Sequence, residues 1–204
     1  TYASGTYTDL TGPRLREDFR GELLSGETIT FKAPDGFEWA NTGATPSVTT
    51  QPAYGSNTDL AISYSGRTAS EITFTVNQQS DNSKPGEALF TGLRIRPTQG
   101  QLPNQGTITN VGTTGPGGTT NYGDIIMVPG EADALNYAQQ PTNNPVDQSI
   151  NPAVEVQVVD QFGNSIKEAG RTVSLSLTSG LGSLSGTTTQ TTNITGTTYF
   201  NDLS

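Results

Sequence analysis

Histidine and cysteine, the residue types that most often move protons or bind transition metals, are absent from this 204-residue chain. Any chemistry falls to carboxylates, hydroxyls, amides, aromatics and a few basic side chains. Ser-His-Asp and Cys-His arrangements are therefore excluded, and zinc, iron–sulfur and thiol sites lose their usual ligands. The composition permits a carboxylate pair for glycoside hydrolysis, but no motif points to one and the chain is short for a cleft. Gly115-Pro116-Gly117-Gly118 is not a phosphate loop, because it lacks a following Lys-Ser/Thr and a helix.

Four sets of residues carry the remaining possibilities. Asp160 and Asn164 flank Phe162-Gly163: either Asp160 caps a turn with a left-handed residue at Gly163 or Asn164, or it joins Asp147 in a calcium ligand set. Calcium takes six to eight oxygens, and no EF-hand-like spacing supplies them. Glu131 and Asp133 are two carboxylates, too few for calcium alone, and read as solvated charges on a first strand. Phe37, Trp39, Tyr54 and Tyr64 either fill a core or form a platform for sugar rings, with Trp39, Tyr54 and Tyr64 the candidate ligand-binding residues. Lys32 lies in a strand, where an isopeptide bond to Asn or Asp would require burial beside an acid; an exposed strand lysine is the simpler reading. Asn193-Ile194-Thr195 fits a glycosylation sequon.

The formal charge of −9 repels a phosphate backbone, and Arg14, Arg16 and Arg20 are interleaved with Glu17, Asp18 and Glu22, so nucleic acid is not expected as a partner. No apolar run reaches the length of a membrane span, and Thr1 opens no signal-peptide pattern, so an export signal or anchor is expected outside this sequence.

The elements that position these residues are short strands. Polar Thr, Ser, Asn, Gln and Gly separate brief alternating apolar runs, which disordered chains lack. Glu27–Ala33 alternates with Ile29 and Phe31 on one face; Pro34-Asp35-Gly36 turns the chain; Phe37 and Trp39 return. Ser47–Thr50, Asp59–Tyr64, Thr107–Val111 and Ile125–Val128 read as further strands. In Glu71–Val76, Ile72, Phe74 and Val76 face inward. Ala88–Arg96 supplies Leu89, Leu93 and Ile95, with Gly92 a bulge that changes the facing register. A short helix is expected near 13–24, where Leu15, Phe19, Leu23 and Leu24 recur at helical spacing, with an edge strand as the alternative. Gly112–Gly123 reads as a long loop before the last strand of a first domain, and Pro129-Gly130 breaks the chain. Beyond it, Leu135 and Tyr137 open a strand, Val154, Val156 and Val158 alternate strictly, and Val173, Leu175 and Leu177 do the same. The expected fold class is all-β: two tandem immunoglobulin-like β-sandwiches, over 1–129 and 130–204.

From Leu135 to Ser204 the order of signals resembles a bacterial immunoglobulin-like repeat of surface adhesins and invasin-like proteins. The carrying residues are Leu135–Pro141, Ile150-Asn151-Pro152-Ala153-Val154, Val156–Asn164 with its Asp160-Gln161-Phe162-Gly163-Asn164 turn, Leu181–Gly186, and Tyr199–Ser204. The resemblance implies a stacked, non-catalytic module whose partners are neighbouring immunoglobulin-like domains of the same parent protein. It also implies two further strands after Leu203-Ser204, so the second sandwich is expected to be incomplete, its last strands either truncated or donated by another copy; Ser4–Leu10 has the look of such a strand. The first half is more loosely similar to sandwich modules of exported bacterial proteins, through Gly26–Trp39. The expected role is an extracellular stalk or spacer at the bacterial surface. The alternatives are a module binding polysaccharide or a host surface protein, and an accessory domain of a secreted glycoside hydrolase. No cofactor is required, calcium being the one ion considered.

Overall fold

The computed structural model of the chain describes residues 5–53, 59–80, 84–114, 121–145, 148–180 and 182–204. Within these residues the chain is all-β, with antiparallel sheets, no barrel and no helix. It divides into two compact units, Thr1–Val128 and Pro129–Ser204.

The first unit holds β1 (Thr8–Asp9), β2 (Arg14–Arg16), β3 (Thr28–Lys32), β4 (Phe37–Trp39), β5 (Ser47–Pro52), β6 (Ala61–Arg67), β7 (Glu71–Gln78), β8 (Gly86–Thr91), β9 (Arg94–Pro97), β10 (Gln105–Asn110) and β11 (Asn121–Ile126). A five-stranded sheet runs β11-β10-β3-β7-β6, and two three-stranded sheets run β2-β8-β5 and β1-β9-β4. The alternation in β7 buries Ile72, Phe74 and Val76, and register pairs Phe31 with Ile72 and Ile29 with Phe74 on the same inner face. Phe90 of β8 meets Phe31 and Phe74 edge-on, with ring centroids 4.9 and 4.7 Å apart, which welds one three-stranded sheet to the five-stranded one. Gly92, at a φ of 69°, passes the chain from β8 in one small sheet to β9 in the other. The inward set changes parity there, from Ala88 and Phe90 to Leu93 and Ile95, so the expected change of register is present, but Leu89 is only half-buried.

No helix forms over 13–24. Arg14–Arg16 is a strand paired with β8, and turns follow to Gly26. The physical reason is Glu17. Its buried carboxylate accepts from Leu23 N at 3.0 Å, Ser80 Oγ at 2.5 Å and Gly86 N at 2.6 Å, bonds that draw residues 17–23 into a compact loop. Phe19 and Leu24 of the expected apolar stripe are exposed.

The second unit holds β12 (Ala134–Gln139), β13 (Val154–Val159), β14 (Thr172–Ser174), β15 (Thr189–Thr191) and β16 (Thr197–Phe200). Sheet β12-β13-β16 faces the pair β14-β15. Val154, Val156, Val173, Phe200 and Leu203 form its core, with Ile150, Leu175 and Leu184 packed against them. Strand β14 ends at Ser174, and Leu177, expected to face inward, is exposed. Within Ser4–Leu10, the stretch with the look of a donated strand, the pairing in this chain is local. Thr8 and Asp9 pair with Ile95 and Arg94 inside the first unit, and Leu10 N donates to Leu93 O at 2.8 Å.

Candidate functional site

Trp39 is 0 % exposed, and its Nε1 donates to Phe31 O at 3.1 Å. The alternation that puts Phe37 and Trp39 on one face of β4 turns that face to the core, so neither ring can stack on a sugar. Tyr64 is half-buried and meets Phe74 edge-on at 5.9 Å, on the inner face of the five-stranded sheet. Tyr54 lies outside the described residues. An aromatic platform made from Trp39, Tyr54 and Tyr64 is therefore corrected at Trp39: its indole is a core side chain with its one donor satisfied.

Asp160 follows the last residue of β13 and is 2 % exposed. Its Oδ1 accepts from the N–H groups of Phe162 and Asn164, both at 2.9 Å. Its Oδ2 accepts from Gly130 N at 2.8 Å and Asn164 Nδ2 at 2.9 Å. Burial alone would raise its pKa, but the bonds from the Asn164 side chain, then from the Gly130, Asn164 and Phe162 backbone, hold it below the ordinary carboxylate value. Gly163, at a φ of 83°, takes the left-handed position. Both oxygens are thus turned to N–H donors, an arrangement that closes a turn and offers a cation little. Asp147, its proposed co-ligand, lies outside the described residues. Glu131 and Asp133 are exposed, and among the described residues no three acidic side chains converge as a metal set would require.

Lys32 is exposed on β3, opposite Glu71 and Thr109, which lacks the burial that an isopeptide bond needs. The sequon Asn193-Ile194-Thr195 occupies the turn that carries the chain from β15 in one sheet to β16 in the other, where Asn193 Oδ1 accepts from Thr195 N, Thr195 Oγ1 and Thr197 N. That pattern makes Asn193 the organiser of the turn.

Two clusters escaped sequence reasoning. Glu17 is one: a Glu among arginines reads as a surface charge, and only the fold brings Ser80 and Gly86 to it. The other joins the N-terminal strand to β4 and β9. Arg96 Nε donates to Glu38 Oε1 at 2.6 Å, its guanidinium lies 4.5 Å from the Tyr7 ring centroid, and the Tyr7 hydroxyl donates to Glu38 at 3.3 Å. Burial and then the Glu38 charge raise the Tyr7 pKa, against a smaller opposing pull from Arg96. Arg94 reaches Asp9 at 3.3 Å. Every partner in this cluster is a residue of the same unit, and its geometry fastens β1 to the sheet.

The outer face of the five-stranded sheet is a field of hydroxyls. Thr30 and Thr73 oxygens lie 3.1 Å apart, Ser65 and Thr75 2.5 Å, and Asn77 Nδ2 donates to Ser63 Oγ at 2.9 Å. These groups bond one another across strands. No helix among the described residues is long and apolar enough to cross a membrane. No family model, no curated protein and no solved structure matches this chain.

Proposed function

We propose that the chain is a non-catalytic structural module of an extracellular bacterial surface protein, a spacer built from tandem β-sandwiches. The observation that supports this reading is the fate of the chemically able side chains. Asp160, Glu17 and Glu38 each serve turns and strand ends of their own unit, rather than converging with free valences on a shared cavity. The surface role rests on the resemblance carried by Leu135–Ser204, and the −9 charge and polar sheet faces suit a solvent-exposed module.

A binding module is the second reading, favoured by Tyr64, whose ring is partly accessible beside the hydroxyl-bearing strand β6. A polysaccharide and glycan array, run with calcium and with EDTA, separates the two. A spacer gives no signal above background in either buffer. Reproducible binding that disappears in Tyr64→Ala or Tyr54→Ala overturns the spacer reading and gives the first unit a ligand.

A further inference from the structure

Asn193 uses only one end of its carboxamide to build its turn. Oδ1 takes every bond that the side chain makes among the described residues. Two of its three partners are the backbone N–H groups of Thr195 and Thr197, at 2.9 and 3.2 Å. A backbone N–H can only donate, so the atom that faces them is the oxygen, and Nδ2 faces away. The main chain closes the same turn without the side-chain nitrogen: Asn193 N donates to Thr197 O and Gly196 N to Asn193 O, both at 2.9 Å. Gly196, at a φ of 76°, is packed so closely that a Cβ there would lie 1.8 Å from Ile166 O. The amide nitrogen is therefore left over on a fixed mount.

The mount also stands clear of the unit. Asn193, Ile194 and Thr195 are all exposed, and Ile194, at 81 %, is the most exposed large apolar side chain among the described residues. An enzyme can reach the tripeptide without opening the sandwich. Thr195 Oγ1 lies 2.7 Å from Asn193 Oδ1, so the hydroxyl and the carboxamide are met together as one feature. Of the 14 asparagines in the chain, only Asn193 has Ser or Thr two places on, so one site alone can answer the test.

We propose that Asn193 is a glycan acceptor, modified on Nδ2 by a transferase that uses a glycosyl diphosphate. The bond from Nδ2 to the sugar C1 forms as the bond from C1 to the diphosphate oxygen breaks. The diphosphate leaves with the electron pair, and one Nδ2 proton passes to a base of the transferase. Oδ1 takes no part, so the turn keeps its three bonds and the folded unit accepts the sugar. The sugar then stands beside Ile194. This inference is independent of the spacer reading, because the donor diphosphate is carried either by a nucleotide or by a lipid.

The test is mass mapping of the full chain isolated from the organism that makes it. Trypsin cuts after Arg171, and no Lys or Arg follows as far as Ser204, so Asn193 falls in the peptide that begins at Thr172. Expected is a sugar adduct on that peptide, placed at Asn193 by fragmentation. A single hexose identifies the nucleotide-linked donor, and a preassembled oligosaccharide the lipid-linked one. Expressed in the same organism, Asn193→Asp loses the adduct while keeping an oxygen for the three donors, and its unfolding midpoint stays that of the unmodified chain. Thr195→Val loses the adduct as well, and Thr195→Ser keeps it. An unmodified peptide overturns the proposal. So does an adduct that survives Asn193→Asp or Thr195→Val, or one that maps only to another residue.

Discussion

Replacing Asp160 by Ala removes the acceptor for four N–H groups at once while leaving every core side chain in place. The two donors of Asn164 are on a buried residue and stay without water; those of Gly130 and Phe162 are on half-buried residues and rehydrate. Hydrogen bonds to a charged acceptor contribute about 1.5–3 kcal/mol each and are not additive, so a net loss of about 3 kcal/mol is expected. A unit the size of Pro129–Ser204 has about 4–11 kcal/mol in total, so this loss is a large share of it. With a guanidinium slope of about 2 kcal/mol per molar, the unfolding midpoint of the second unit falls by about 1.5 M. The two units can be followed separately. Trp39, the one tryptophan of the chain, reports the first by fluorescence, and the methyl resonances of Val154 and Val156 report the second by NMR. The reasoning fails if the Trp39 transition moves as far as the methyl transition, or if the methyl transition moves by less than about 0.5 kcal/mol, the size of an ordinary surface substitution. In the same assay, millimolar calcium is expected to leave the methyl transition unmoved, because both Asp160 oxygens already face N–H donors.

Acid should act on the second unit through Asp160 and Asp202, both held below the ordinary carboxylate pKa. Asp160 is held there by the bonds described above, which outweigh its burial, and Asp202 by the Thr187 side chain and then the Thr187 backbone N–H. A lowered folded-state pKa gives stability that is full above the unfolded value near about 3.9 and is lost as pH falls through the folded value, so midpoints measured at pH 7, 5 and 3 should hold and then drop. In the first unit, Tyr122→Phe should be neutral or stabilising by up to about 1 kcal/mol, since the Tyr122 hydroxyl is buried without a partner among the described residues; a clear loss in the Trp39 denaturation curve would contradict this. Gly12→Ala should cost more than about 2 kcal/mol by the same curve, because Gly12 sits at a φ of 73° and a Cβ there would lie 1.6 Å from Phe90 O.

What sequence reasoning recovered, and what it missed, divides by the range of the forces involved. The alternation in Glu71–Val76 and Val154–Val158 identified both strand and buried face, because a period of two is a local property that burial on one side imposes. The Asp160 turn was legible for the same reason: an Asx turn is closed within five residues. The loop at 17–23 was not. Its Leu and Phe spacing satisfies a helix, but Glu17 finds Ser80 and Gly86 more than sixty residues away, and those bonds override local preference. Trp39 could be placed on a face with Phe37, yet which face was core depended on Phe31 and the strands behind it. The exposure of Leu135 and Tyr137, which register places opposite the buried Val158 and Val156, was likewise beyond periodicity, which shows that two residues share a side but not which of them is covered.

The passage of the chain through Gly92 has a consequence for synthesis. Strands β8 and β9 are the central strands of the two small sheets, and their partners β1 and β2 come from the first residues of the chain: Arg16 pairs with Glu87 and Thr8 with Ile95. As the polypeptide leaves a ribosome or a translocation channel, residues 8–16 emerge early and have no strand to join until residues 86–97 follow. Neither small sheet can therefore precede the other by much, since one hinge residue delivers the middle of both. An interrupted or stalled chain ending anywhere between Lys32 and Glu87 would carry Leu15 and its flanking arginines uncovered, and the first unit would close late and all at once rather than strand by strand.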